Sequence, residues 1–227
     1  MSAPPRPPAP SHEAPDEVAS RALAMQQPVV PYSILLLFFL SGFAALVYQV
    51  AWQRSLFAIF GVNIESVTLV VTVFMLGLGL GSLAGGALSR HPGRRLLLWF
   101  ASIELSIGLY GAISLALFAW IGEATLAATP LITGFGTFLL LLPPTLMMGS
   151  TLPLLVTFAV RRSGQVGPSV GLLYFVNTLG SAVAAFATVL VLMRMLGLQR
   201  SVLTAAAING TVAAIAFTWH IRTRSQP

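Results

Sequence analysis

The stretch LLLWFASIELSIGLYGAISLALFAWI, residues 96–121, decides the fold. It holds one charged side chain, Glu104, in an otherwise uncharged run. A helix crosses the hydrocarbon core of a bilayer, about 30 Å thick, in about 20 residues at about 1.5 Å each. Residues 96–121 are long enough for that. An ionised side chain at such depth costs roughly 2.5–3.5 kcal/mol on insertion scales. Glu104 therefore needs a partner, a proton or a task.

Working outward, five more apolar stretches have comparable length: 32–53, 66–89, 130–160, 170–193 and 201–219. Together with 96–121 they predict an all-α integral membrane protein, a bundle of six transmembrane helices filling residues 31–220. The composition agrees. The chain has 227 residues, of which 56% are hydrophobic and 8% charged, and its mean hydropathy is +0.88. Too few polar residues are present to cover a soluble surface. Cysteine is absent, which excludes disulfides, thiolate metal sites and thiol catalysis.

The net charge of +6 comes entirely from arginine, since lysine is absent. Most of these arginines fall at the ends of the apolar stretches, so the positive-inside rule accounts for them better than nucleic-acid binding does. Arg6, Arg21, Arg90, Arg94, Arg95, Arg161, Arg162, Arg222 and Arg224 lie on the N-terminal side of the predicted topology, and Arg54, Arg194 and Arg200 lie opposite. This bias places both termini in the cytoplasm, as for a multi-pass protein of a bacterial inner membrane. Residues 1–30, rich in Pro and Ala, have nothing to bury and are expected to form a disordered cytoplasmic tail. Residues 221–227 form a short second tail. Trp52, Trp120 and Trp219 fall at predicted helix ends, where interfacial aromatics sit.

Two spans carry further signals. The stretch 130–160 holds Pro143 and Pro144 at its middle, and Pro153 follows. Proline removes a backbone donor and clashes with the preceding turn, so a kink or break is expected here. The result is either a kinked packing helix or a break lining a solute path as in transporters. In the stretch 66–89, Gly77, Gly81 and Gly85 recur every four residues, the pattern of a close helix–helix contact face. A weak echo links Arg90-His-Pro-Gly93-Arg-Arg95 with Arg194-Met-Leu-Gly197-Leu-Gln-Arg200. In the six-helix topology these turns lie on opposite sides, as a three-plus-three inverted repeat of a half major-facilitator fold would place them.

Three blocks are more specific than hydropathy: Ser41-Gly-Phe-Ala-Ala-Leu-Val-Tyr48-Gln49-Val-Ala-Trp52-Gln-Arg54, Leu142-Pro-Pro-Thr-Leu-Met-Met-Gly149-Ser-Thr-Leu-Pro153, and Gly171-Leu-Leu-Tyr174-Phe-Val-Asn177-Thr-Leu-Gly180-Ser. Their order resembles the membrane part of the bacterial fused major-facilitator/spermidine-synthase-like proteins, over residues 33–219. In that family the membrane module usually precedes a soluble aminopropyltransferase-like domain. The chain ends eight residues after Trp219, so that domain, and with it any enzyme activity, is expected to be absent. Gln49 stands where many members of the resembled family carry an acid. Arg90 stands where the major-facilitator loop carries its Asp.

The candidate polar sites are few, and no catalytic set is among them. Glu104, Asn177 and Tyr174 have similar predicted depths, so Glu104 is expected to meet Asn177 or Tyr174, either as a structural bond or as a proton or cation site. Tyr48 with Trp52 and Gln49 with Gln53 are i,i+4 pairs. With Arg54 they suggest either interfacial anchors or a small polar pocket completed by Asn63 or Glu65. His12, His91 and His220 have no ligand spacing, so neither a metal nor a cofactor is expected. The expected function is a non-catalytic membrane module that anchors a larger complex or docks a separate soluble cytoplasmic partner. The alternative is a half-transporter that self-associates to move a small, amine-like solute. The expected partners are the lipid bilayer and other membrane subunits or a second copy, with no nucleic acid.

Overall fold

The computed structural model describes residues 29–60, 64–90 and 95–224, and among them there is no strand. The helices are α1 (Tyr32–Phe60), α2 (Ile64–Leu88), α3 (Leu96–Ala124), α4 (Pro130–Ser163), α5 (Val166–Ala187) and α6 (Met193–Arg224), with a π-helical stretch, Thr188–Leu192, between the last two. By length and hydropathy five helices are apolar enough to cross a membrane, the last being the continuous run Val166–Arg222. The tail expected over residues 1–30 lies, up to residue 28, outside the described residues. So do Asn63, His12 and His91.

Several ends differ from expectation. The helix α1 runs to Phe60 rather than stopping at 53, because no Gly or Pro lies between residue 53 and Gly61. Trp52 is therefore inside the helix and not at its end. The helix α4 ends on Gly164, whose φ of 70° is left-handed and whose N–H returns to the Val160 carbonyl at 2.8 Å. Glycine adopts that conformation without a Cβ penalty. The helix α6 extends to Arg224, into the expected C-terminal tail.

The break expected at Pro143 and Pro144 does not occur. The helix α4 is continuous over 34 residues with Pro143, Pro144 and Pro153 inside it. Pro144 has no N–H for the carbonyl of Leu140, and the Tyr110 hydroxyl of α3 donates to that carbonyl instead, at 2.5 Å. One turn on, Thr145 Oγ1 donates to the carbonyls of Leu141 and Leu142, each at 2.9 Å. The Tyr110 hydroxyl thus replaces one missing backbone donor, which helps a proline-bearing helix persist in an apolar surround.

Helix directions follow from the residue pairings. Between α1 and α5, Phe38 pairs with Asn177 and Gly42 with Ser181, and Arg54 pairs with Met193 just beyond α5, always 139 residues apart. The constant offset means the two helices run the same way. Between α1 and α3, Ser41 pairs with Glu104 and Trp52 with Ser114, offsets of 63 and 62, again parallel. Between α3 and α6 the order is reversed: Glu104 meets Asn209, while Gly108 faces Ala206. The helix α6 therefore runs against α3 and α5. The reversal sits at Gly197, whose φ of 75° and ψ of 177° are the one non-helical conformation within α6.

Packing is closest where glycine faces backbone. A Cβ built on Gly77, Gly81 or Gly85 would overlap Thr145, Leu146 or Ser150 of α4. Gly42 and Gly180 bring α1 and α5 together in the same way, against Asn177 and Phe39. In lipid there is no hydrophobic drive between helices, so such contacts hold the bundle through dispersion and approach distance. Arg161, at the end of α4, donates to the Ser89 carbonyl just past α2 at 2.9 Å and ties those two ends.

Candidate functional site

Glu104 is fully buried in the first third of α3. Ser41 of α1 donates its hydroxyl to Oε1 at 2.5 Å, and Asn209 of α6 donates Nδ2 to Oε2 at 2.6 Å. Both carboxylate oxygens thus have a partner, and one residue joins three helices. The expected contact with Asn177 or Tyr174 is not the one made. Asn177 instead donates Nδ2 to the Phe38 carbonyl at 3.1 Å, and Tyr174 is 62% exposed on the outside of α5. Equal depth along two helices said nothing about which faces meet.

A cavity of about 270 Å³ opens beside this carboxylate, between all six helices. Ser41 and Gln49 of α1 border it, as do Asn177 and Ser181 of α5, Asn209 of α6 and Thr151 of α4. Tyr174 stands at its edge, and Phe38, Phe74, Ile107 and Met148 supply apolar wall. Glu104 is not in the lining; it stands behind Ser41 and Asn209. Gln49 therefore belongs to a pocket, but to this inner one. Its expected companions Asn63 and Glu65 contribute no described side chain.

Tyr48 and Trp52 are core residues and not interfacial anchors. Both are fully buried and stack with ring centroids 5.1 Å apart. Tyr110 and Phe118 meet the Trp52 ring edge-on at 6.1 and 5.9 Å, and the indole N–H donates to Ser114 at 2.8 Å. The i,i+4 spacing did place both rings on one face, which is turned inward. Arg54 lies against the Met193 sulfur at 3.7 Å on an exposed face, joining α1 to the start of α6. Pro143 and Pro144 lie in the continuous part of α4, and Gly77, Gly81 and Gly85 lie on the α2–α4 contact, away from the carboxylate.

Sequence reasoning missed Asn209 and Ser41. Asn209 carried a readable signal, an amide within an apolar stretch, the same signal that exposed Glu104. Ser41 carried none, since serine is ordinary in such helices. Among the described residues no three His, Asp or Glu side chains converge as metal ligands would.

The chain was compared with known proteins. It is similar to "Polyamine aminopropyltransferase 1" of Streptomyces coelicolor, with 26% identity over 222 residues, covering 95% of this chain and 36% of that protein. The chain therefore spans about a third of the length of this curated relative. No family model matches the sequence, and no solved structure matches it. The relative is an enzyme, which overturns the expectation that any enzyme activity is absent.

Proposed function

We propose that this chain is the membrane-spanning part of an aminopropyltransferase-like enzyme and holds aminopropyl transfer at a bilayer. The alignment carries the reading: nearly the whole chain matches about a third of a longer polyamine aminopropyltransferase. Its all-helical, strongly apolar make-up supports a spanning role for that third. The resemblance of its three blocks to the membrane part of fused major-facilitator/spermidine-synthase-like proteins points the same way. In this reading the last candidate span is two crossings. Its 57 residues would extend about 86 Å as one helix, nearly three times the hydrocarbon thickness, and the direction reverses at Gly197. Six crossings of an inner membrane then place both termini in the cytoplasm, beside most of the arginines. The Gly–Arg sequence echo between residues 90–95 and 194–200 supports a half major-facilitator-like three-plus-three repeat.

The test measures transfer of an isotope-labelled aminopropyl group in membrane and soluble fractions of the native host, with and without this chain. Activity that sediments with membranes and moves to the soluble fraction, or disappears, without the chain supports the reading. Unchanged activity and distribution would refute it. Because the chain lacks cysteine, single cysteines at Arg95 and Gly197 test the crossings: impermeant labels must reach them from opposite sides.

A second reading, a half-transporter that self-associates to move a small solute, is favoured by one observation: a largely apolar cavity with several polar wall residues lies between the six helices beside a buried carboxylate.

A further inference from the structure

The central cavity is open on one side. Its wall includes Tyr174 of α5, 62% exposed, Leu78 of α2, 37% exposed, and the exposed Ser82 of α2. The helix α2 rests mainly on α4, and α5 mainly on α1, so the opening lies between α2 and α5. Polar groups stand behind it. Gln49, Asn177 and Ser181 border the cavity, as does Asn209, which is 1% exposed and whose Oδ1 has no hydrogen-bond partner. Acyl chains carry neither donor nor acceptor, so lipid is a poor cover for such a wall. Each flank of the opening also carries an outward stripe of small residues. On α2 it is Gly79, Ser82 and Gly86; on α5 it is Gly167 and Gly171, continued by Tyr174 and Thr178. A Cβ on any of these four glycines meets nothing within 4 Å, unlike Gly77, Gly81 and Gly85, whose groove α4 already fills. Ser82 and Tyr174 belong both to a stripe and to the cavity wall, so the stripes rim the opening.

We propose that a second copy of this chain closes the opening: related by a two-fold axis along the membrane normal, α2 of each copy packs on α5 of the other, and the two cavities become one. The stripes match in depth. Arg161 ties Ser89 to the end of α4, and α5 starts just after α4, so α2 ends where α5 begins and the two run in opposite directions. Gly86, Ser82 and Gly79 lie about 4.5, 10.5 and 15 Å from Ser89, and Gly167, Gly171, Tyr174 and Thr178 lie about 1.5, 7.5, 12 and 18 Å from Val166. Each α2 position falls between two of α5, as ridges set into grooves require. The chain thus carries both sides of the contact, which is what an isologous interface needs. From residue 66 to the end of α2 and throughout α5 there is no charged side chain, so like faces meet without repulsion. The amides of Gln49 and Asn177 each hold donors and an acceptor, so identical groups are complementary across the axis. The inference deepens the half-transporter reading, on which it rests for self-association, and is independent of the aminopropyl-transfer reading.

The experiment uses the full chain, which has no native cysteine. Two differently tagged populations, one Ser82→Cys and one Gly171→Cys, are reconstituted together in liposomes and oxidised. The expected product is a dimer bearing both tags. The control pair, Leu109→Cys with Phe135→Cys, lies on the outer faces of α3 and α4, each residue 63% exposed, and should give little or none. Sedimentation equilibrium of the cysteine-free chain in density-matched mild detergent should show a monomer–dimer equilibrium. Gly171→Leu fills the α5 stripe where a Cβ meets nothing within the chain. It should raise the dimer dissociation constant at least about tenfold, equal to about 1.4 kcal/mol, while the chain unfolds in SDS no earlier than wild type. Cross-linking reads contact without any solute moving, so the two ideas fail separately. A dimer that forms through the control faces, or one that survives Gly171→Leu unchanged, overturns this interface and leaves the half-transporter reading standing. A chain that stays monomeric in the bilayer overturns both.

Discussion

Replacing Gly81 by alanine tests the packing that holds α2 to α4. The added Cβ would lie 2.9 Å from the carbonyl carbon of Leu146 and 3.0 Å from its Cα, with the carbonyl oxygen nearer still. Carbon atoms at rest stand about 3.5–4.0 Å apart, so the helices must separate by about 1 Å. Because the obstruction is backbone, no side-chain rotamer can yield. The opened seam also loosens the neighbouring contacts of Gly77 and Gly85. Overpacking of this kind costs about 1–3 kcal/mol, against a gain of about 1 kcal/mol or less from the better helix propensity of alanine. Gly79, two residues away in the same helix, provides the control, because a Cβ there meets nothing within 4 Å. Gly79→Ala should be neutral or stabilising by up to about 1 kcal/mol. The assay is unfolding by SDS titration in lipid–detergent micelles, followed by tryptophan emission, since Trp52 is fully buried. Gly81→Ala should unfold at clearly lower SDS than wild type, and Gly79→Ala at the same or higher. Equal midpoints for the two variants would refute the close-contact argument.

Three further outcomes follow from the same structure. Tyr110→Phe removes the donor that serves the Leu140 carbonyl left free by Pro144; it should destabilise by about 1–3 kcal/mol, and no change in the SDS midpoint would mean that carbonyl needs no partner. Gly197→Ala forces a side chain into φ 75°, ψ 177°, a region that costs residues other than glycine about 1–3 kcal/mol; urea or SDS unfolding should show that loss, and wild-type stability would count against the reversal at this residue. Glu104→Leu strands the amide of Asn209 and should cost about 1–3 kcal/mol, whereas adding Asn209→Leu should recover most of it, because both polar partners then leave together; a double variant as unstable as the two single losses summed would show that the pair is not coupled.

The helices were legible because hydropathy and length are local properties. Each apolar stretch from Tyr32 onward becomes helix, with ends that shift by several residues, as at Phe60, Ser163 and Arg224. Pro143 and Pro144 show the limit of local rules. Proline does remove donors there, but for the Leu140 carbonyl the Tyr110 hydroxyl, from a different helix, supplies another. The candidate site was half legible. Glu104 stood out as a charge in hydrocarbon, yet its partners Ser41 and Asn209 lie 63 and 105 residues away. The rotation of each helix about its own axis decides who meets it, and near-uniform apolar helices carry little record of that rotation.

By itself, then, the sequence determined an apolar helical chain with an expensive carboxylate at mid-depth, since both follow from composition along one dimension. Only the tertiary structure decided that α1, α3 and α5 run together, that α6 turns back at Gly197, and that Glu104 faces Ser41 and Asn209 rather than Asn177 or Tyr174. The physical reason is that hydrogen bonds in an apolar surround act over about 3 Å, so they record which helix faces were brought together, and the order of residues along the chain does not.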